Sequence, residues 1–541
     1  MPIPTAHVDT FARDNLPPPG DLPQTLFMLP SLQFPQRLNC AAEILERQIA
    51  AGRGQATALI APGMKWTYAE LNAQANRIAR VLVEDLGIVP GNRVLLRAPN
   101  NPMLAACWFA VLKAGAIVVA TMPLLRARDL VPIITKAHIN LALCDSHLLM
   151  ELELARGESA PFPILPFDGM HADLNQRMET KPDSFISVDT ARDDVALIAF
   201  TSGTTGVPKG TLHYHSDVLA MSAVVGEHLF KLQPDDVVIG SPPLAFTFGL
   251  GALLTFPLSA GASTVLLESA PAAELLQAMN QYRATVCATA PTAYRVMLKH
   301  MGDVRLPSLR KCISAGEHLP LETFTQWREK TGISIINGLG TTEMIHMFIG
   351  SEGKDIRPGA TGTALPGYEI RVLGSDNTPL PPGEYGRLAV LGPTGCKYLA
   401  DVRQREYVVN GWNITGDICA LDADGYVWYQ SRADDMIVSA GYNISGPEVE
   451  QALLPHPAVL ECAVVAAPDA ERGSVVKAFI VPAPGYTAGP ELTRTLQELV
   501  KGSIAPYKYP RQIEYVDALP KTYTGKLQRN VLRARAAEPH H

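Results

Sequence analysis

The chain predicts an α/β fold: a large N-terminal domain of helix-covered, mostly parallel sheets, and a small α+β C-terminal domain joined to it by a hinge. Three observations predict it. At 541 residues and 47% hydrophobic content, the chain is past the size at which one core keeps growing, so two or more domains are expected. Short β-branched runs alternate with segments of helical period along most of its length. Near residue 434 that rhythm gives way to a polar, glycine-punctuated passage.

The opening stretch "MPIPTAHVDTFARDNLPPPGDLP" has no basic start followed by an apolar core, so no export signal is expected. The longest apolar stretch is Leu104 to Met122, "LAACWFAVLKAGAIVVATM". Lys113 at its centre would be costly in lipid, so the stretch reads as a buried helix running into a strand. "LALCD" (Leu141 to Asp145), "DVVIGS" (Asp236 to Ser241), "STVLLE" (Ser263 to Glu268) and "TVCATA" (Thr285 to Ala290) read as strands. Between the last two, "AAELLQAMNQYRA" sets Leu275, Leu276, Met279 and Tyr282 on one helical face. Strand, helix, strand in this order implies parallel sheets covered on both faces. The large domain is expected over 1–433 and the small mobile domain over 434–541. The latter holds a helix from Pro447, a strand "ECAVVAAP" and a helix around "ELTRTLQELVKGS".

A net charge of −7 without a Lys/Arg-rich block argues against nucleic acid as partner. Eight cysteines lie scattered without CxxC pairs, which reads as buried thiols in a reducing cytoplasm. A soluble cytoplasmic protein without membrane attachment is expected, with monomer and homodimer both open.

Chemistry concentrates first in "TSGTTGVPKG", Thr201 to Gly210, directly after the apolar run "VALIAF". Such a loop offers several N–H groups and hydroxyls to one anion, because glycine lets the backbone approach closely. Lys209 adds a compact positive charge at its far end. The ordinary nucleotide P-loop has Gly before its Lys and Ser/Thr after it. Here Pro208 precedes Lys209 and Gly210 follows, so a metal-holding group must come from elsewhere.

These residues resemble the phosphate loop of the adenylate-forming acyl-CoA synthetases, a family that includes firefly luciferase and the adenylation domains of peptide synthetases. Five further motifs follow the family's order: "WTYAEL" at Trp66, "SAGEHLP" at Ser314, "NGLGTTEM" at Asn337, "GWNITGDI" at Gly411 and "PKTYTGKLQR" at Pro520. The resemblance implies ATP, Mg2+ and coenzyme A as partners. A carboxylate and ATP would form an acyl-AMP with release of pyrophosphate, and AMP would then be exchanged for the thiol of coenzyme A.

The resemblance also implies roles residue by residue. Thr201, Ser202, Gly203, Thr204, Thr205 and Lys209 would hold the β- and γ-phosphates. Thr342 would contact the α-phosphate and Glu343 would orient Mg2+, filling the vacancy in the loop. Gly316 and Glu317 would flank the adenine, and Asn337 and Gly338 would meet its edge. Asp417 would accept the ribose hydroxyls with Arg432 beside it, although either alone is more often half of a surface ion pair. Lys526 matches the lysine that bridges the acid and the α-phosphate, and it is cationic at neutral pH with a free value of about 10.4. Asp434 matches the hinge residue, and Gly441 lies where the pantetheine thiol passes. One departure is Val438 in "DDMIVSAG", where many members carry Lys at or near this place.

"PPLAFTFGLG" (Pro242 to Gly251) and "GTTEMIHMF" (Gly340 to Phe348) occupy the family's acid-pocket positions. They look most like benzoate- and 2-aminobenzoate-CoA ligases. Phe246 and Phe248 would wall a flat ring, with Gly249 next to them in the pocket, and Leu339 and Gly340 would shape the floor. His346 would bond a ring substituent or close the floor, although a histidine in such a setting is more often a core residue. The Thr247 hydroxyl would accept from an ortho-amino group, which puts 2-aminobenzoate first and benzoate second. Alternatives are another aryl or fatty acid, a stand-alone enzyme loading a carrier protein, and a non-catalytic nucleotide module. The last predicts loss of Glu343, Asp417 or Lys526, and all three are present.

Overall fold

The computed structural model describes residues 4–169, 172–201, 208–302, 304–439, 442–469, 472–521 and 527–538, with the side chains of Asp434 and Asn443 excepted. The chain divides by its contacts into two compact units. One is Met1–Ile370 with Val390–Asn413, the other Arg371–Ala389 with Ile414–His541.

Two sheets organise the described residues of the first unit. The smaller runs Ile164–Phe167, Leu141–Asp145, Arg93–Arg97, Ile117–Thr121, Val195–Thr201, Lys209–Tyr214. All neighbours are parallel except the last pair. The strands Arg93–Arg97 and Leu141–Asp145 are buried at every position, as expected where helices cover both faces. The larger sheet runs Thr363–Ala364, Met347–Gly350, Ile335–Gly340, Lys311–Ser314, Val286–Thr289, Val237–Gly240, Ser263–Val265, Thr57–Ala61, Met64–Thr67. Its central five strand pairs are parallel and its edges antiparallel.

The strand read at Leu141 to Asp145 is found as such. The one read at Ser263 to Glu268 ends at Val265, and Glu268 beyond it accepts from Asn101 Nδ2 at 3.2 Å. The helix Ala272–Gln281 buries Leu275, Leu276 and Met279 against Ile239, Val265 and Cys287 of the larger sheet. Tyr282 caps it and packs half-buried on the same cluster.

The long apolar stretch is a helix, Pro102–Lys113, followed by the strand Ile117–Thr121. Asn101 Oδ1 caps the helix by accepting from Leu104 N at 2.9 Å. Lys113 is buried, ion-paired to Glu46 and bonded to Asn72 Oδ1 at 2.9 Å. Among the described residues no helix is long and apolar enough to cross a membrane. All eight cysteines are buried and unbridged.

The second unit is α+β, as expected. The strand Val427–Arg432 pairs antiparallel with Trp412–Leu421 and leads into a hairpin, Met436–Ser439 with Tyr442–Ser445. Beyond the helix Gly446–Leu453 comes a long antiparallel pair, Val459–Asp469 with Gly473–Pro482, joined in parallel by Gln512–Tyr515. The helices Pro490–Ser503 and Arg529–Ala537 complete it.

The packing boundary differs from the one expected between residues 433 and 434. The second unit already begins at Ile414 and also takes Arg371–Ala389. Backbone pairing explains the difference. Val427–Arg432 is laddered to residues 417–421, and Ser445 Oγ donates to Gln430 O at 2.7 Å, so residues on both sides of 434 pack as one.

Candidate active site

Residues 202–207 lie between two antiparallel strands in the sequence. Val195–Thr201 precedes them and Lys209–Tyr214 follows, with Thr201 opposite Lys209. A nucleotide P-loop instead passes from strand to helix, so the departure in spacing has a topological counterpart. Thr201 and Lys209 are half-buried at the two rims, whereas Ser202, Gly203, Thr204 and Thr205 lie outside the described residues.

Glu343 sits in the connection between the paired strands Ile335–Gly340 and Met347–Gly350. A tight turn presents it: Ile345 N donates to Thr342 O at 3.0 Å and Met344 N to Thr341 Oγ1 at 3.2 Å. The turn ends on Ile345 at φ +63°, a left-handed conformation that costs a β-branched residue about 1–3 kcal/mol. Ile345 is fully buried, so packing holds the strain in place beside Thr342 and Glu343.

Spacing did not single out Tyr398, in "GCKYLAD". Its hydroxyl donates to Glu343 Oε1 at 2.6 Å. Lys209 Nζ stands 3.5 Å from that hydroxyl and 5.1 Å from the ring centroid. The structure therefore brings the phosphate-loop lysine and Glu343 to one side chain. The residues that carry Tyr398 run beside Lys209–Tyr214, through Leu212 N to Lys397 O at 2.7 Å and Leu399 N to Gly210 O at 2.8 Å. That adjacency is long-range, and no local pattern announces it.

A hard divalent cation prefers carboxylate oxygen, so Glu343 fits Mg2+ in kind. Among the described residues no group of three or more His, Cys, Asp or Glu is placed to hold a metal ion. A single carboxylate suits an ion that arrives with nucleotide phosphates, the usual form for Mg2+.

The two stretches expected to line the acid pocket, 242–251 and 340–348, meet through His346. Asn100 anchors the first of them, donating from Nδ2 to Pro242 O at 3.0 Å and accepting from Leu244 N at 2.8 Å. The loop then turns into the short helix Thr247–Leu250, where a Cβ on Gly249 would fall 2.1 Å from Pro243 O. Thr247 is buried, while Phe246 and Phe248 are half-buried. His346 Nε2 lies 3.3 Å from Phe248 O, and its ring is edge-on to Phe256 at 4.6 Å and tilted on Phe248 at 5.8 Å. Nε2–H is the donor there, and Nδ1 has no hydrogen-bond partner among the described residues. Burial pushes His346 down to about 3, so it is neutral. Gly340 backs onto it, and a Cβ at that position would fall 2.5 Å from His346 O. Leu339 is half-buried and Gly340 exposed.

Of the residues expected beside adenine, Gly316 is exposed at φ +87°, a turn that favours glycine. Glu317 Oε2 accepts from Thr292 Oγ1 at 2.6 Å. Asn337 is half-buried and Gly338 buried on the strand Ile335–Gly340. Asp417 and Arg432 belong to the second unit, where they face each other across antiparallel strands. Arg432 Nη1 donates to Asp417 Oδ1 at 2.9 Å and to Thr415 O at 3.0 Å. Asp417 is buried, and its Oδ2 has no hydrogen-bond partner among the described residues. The pair is thus an ion pair with one carboxylate oxygen left for a hydroxyl donor. Asp434 lies in the 3-10 turn Ala433–Asp435, with its side chain outside the described residues, as are Gly441 and Lys526 altogether.

Residues 45–398 match the family described as AMP-binding enzyme, and 448–526 match its C-terminal domain. Benzoate–CoA ligase from Thauera aromatica is 34% identical over 516 residues, covering 93% of this chain and 97% of its own. The mitochondrial acyl-coenzyme A synthetase ACSM3 of Mus musculus is 33% identical, covering 87% of this chain and 84% of its own. The crystal structure of the anthranilate CoA ligase AuaEII with anthranoyl-AMP superposes with a TM-score of 0.89 at 33% identity, over 94% of this chain and 99% of that one.

Proposed function

The chain belongs to the AMP-binding enzyme family as an AMP-forming acid–CoA ligase, and from that premise we propose that its acid is aromatic, 2-aminobenzoate first and benzoate second. The observation that carries the aromatic reading is the His346 bridge. It ties residues 242–250 to 339–348 through its contacts with Phe248, and its edge-on contact with Phe256 adds a further ring to the same apolar cluster. Both an anthranilate ligase and a benzoate ligase stand among the similar proteins.

In the proposed first step a carboxylate oxygen of the acid attacks the α-phosphorus of ATP. The bond to the bridging oxygen breaks, and pyrophosphate leaves with the electron pair. Two anions meet, so cations and fixed dipoles must stand where charge accumulates. Thr201, Ser202, Gly203, Thr204, Thr205 and Lys209 hold the outer phosphates in this reading, and Thr342 meets the α-phosphate. A bound Mg2+ would withdraw charge from phosphate oxygens, with Glu343 as its protein carboxylate. Asp417 Oδ2 accepts from the ribose, and Lys526 brings a cation to the reacting oxygens. In the second step the thiol of coenzyme A attacks the acyl carbon and AMP leaves. A turn of the residues after Asp434, which would open the Ser445 Oγ bond to Gln430 O, separates the two steps, with Gly441 beside the thiol path.

The ortho-amino group of 2-aminobenzoate can donate to the Thr247 hydroxyl. The buried His346 Nδ1 is a second acceptor on the same wall. A site that holds such acceptors disfavours rings that leave them unpaired. Eight buried thiols suit a reducing cytoplasm, the compartment we assign.

The test is pyrophosphate release with ATP and Mg2+ over ring-substituted benzoates and short fatty acids, followed by offering free coenzyme A or a carrier protein as acceptor. The expected order is 2-aminobenzoate, then benzoate, with aliphatic acids far behind and coenzyme A as acceptor. A response to aliphatic acids alone would remove the aromatic assignment and leave the ligase.

A further inference from the structure

We infer that Tyr398 is a positioning residue for the metal-bearing carboxylate, its hydroxyl aiming Glu343 while its ring lies against Lys209. The inference rests on the reading of Glu343 as the Mg2+ carboxylate.

The geometry on both sides of the phenol supports it. Tyr398 is buried, and its hydroxyl gives a short 2.6 Å bond to Glu343 Oε1. A carboxylate held at one oxygen presents the other in a set direction, and such supporting hydrogen bonds tune metal affinity. Lys209 Nζ lies 3.5 Å from the same hydroxyl and 5.1 Å from the ring centroid. One phenol thereby touches both the cation and the carboxylate.

Tyr398 is itself well held. Its backbone N donates to Gln404 Oε1 at 2.9 Å, and Gln404 Nε2 donates back to Cys396 O at 3.0 Å. Its ring is edge-on to Tyr407 at 5.8 Å, and the Tyr407 hydroxyl lies 3.0 Å from Thr341 Oγ1. Thr341 in turn accepts from Met344 N in the turn that presents Glu343. Two tyrosines thus grip that turn, one at the carboxylate and one at its start.

Tyr398→Phe removes the hydroxyl and keeps the ring, so the packing on Tyr407 survives. The measurement is calorimetric binding of α,β-methylene ATP, which cannot release pyrophosphate, across a Mg2+ series. The Mg2+ concentration for half-maximal binding should rise about tenfold in Tyr398→Phe, within the range seen for groups that support metal ligands. Binding without Mg2+ should stay within about twofold of wild type by the same reasoning. Glu343→Gln should shift the Mg2+ midpoint at least as far, and the double variant should match Glu343→Gln alone. Equal weakening of Tyr398→Phe with and without Mg2+, or additive losses in the double variant, would overturn the inference. A shift in Glu343→Gln without one in Tyr398→Phe overturns it too, while sparing the reading of Glu343. No shift in either variant removes that reading itself.

Discussion

The turn that carries Glu343 and the loop that carries Phe246 to Phe248 are joined by His346, three residues from Glu343, yet they are built on opposite terms. The turn is half-exposed and held by hydroxyl-to-carboxylate and hydroxyl-to-backbone bonds, with strain stored at Ile345. The loop is held by backbone anchoring at Asn100, close approach at Gly249 and ring packing on His346. Phosphate chemistry admits few side-chain types, so the first region can be recognised residue by residue. A ring-shaped acid is recognised by shape, which many apolar residues supply equally well.

That contrast can be broken or sharpened by variants on each side. Replacing Lys526 with Ala should have the largest effect, slowing adenylation roughly 10²–10³-fold as when one preorganised donor is lost. Single-turnover pyrophosphate release should show it, while thioester formation from preformed acyl-AMP proceeds; equal loss in both would refute the two-step use of the small domain. Asp417→Ala should weaken binding of the ATP analogue roughly 10–100-fold, the scale of a hydrogen bond to a charged group. A change confined to thermal stability would reduce Asp417 to half of an ion pair with Arg432.

On the acid side the expected effects are smaller. Burial holds His215 and His346 to about 3 in the folded chain, against about 6.5 when unfolded. The unfolded chain therefore binds more protons as pH falls below about 6.5, and stability is lost over the window from there toward 3. The loss amounts to roughly 1.4 kcal/mol per pH unit for each histidine. Melting curves from pH 7.5 to 5 should show it, and His346→Leu should flatten the slope; an unchanged slope would count against a neutral buried ring. Thr247→Val should lower the preference for 2-aminobenzoate over benzoate about two- to tenfold in kcat/KM, the worth of one neutral hydrogen bond. An unchanged ratio would move the discriminating acceptor to His346.

The α/β body was legible because period and composition are local properties: the strands at Leu141 and Val286 and the helix from Ala272 fall where alternation places them. The packing boundary at Ile414 was not, because it depends on which strands Trp412–Leu421 and Val427–Arg432 choose as neighbours. Thr342, Glu343 and Asp417 could be named from motifs. The Asp417–Arg432 pairing could be suspected, yet the unpaired Oδ2 needed coordinates. Tyr398 could not be named at all, since it reaches Glu343 across 55 residues of sequence.

By itself the sequence determined the α/β class and the family of AMP-forming ligases, and it put forward a hydroxyl- and glycine-rich loop, a carboxylate and a remote lysine as the nucleotide-binding groups, because charged phosphates demand such groups and each sits in a short run. Only the tertiary structure decided how Glu343 is aimed, that His346 is a neutral brace between two stretches, and where the units part. Those outcomes depend on burial and on neighbours far apart in the chain, which no local window contains.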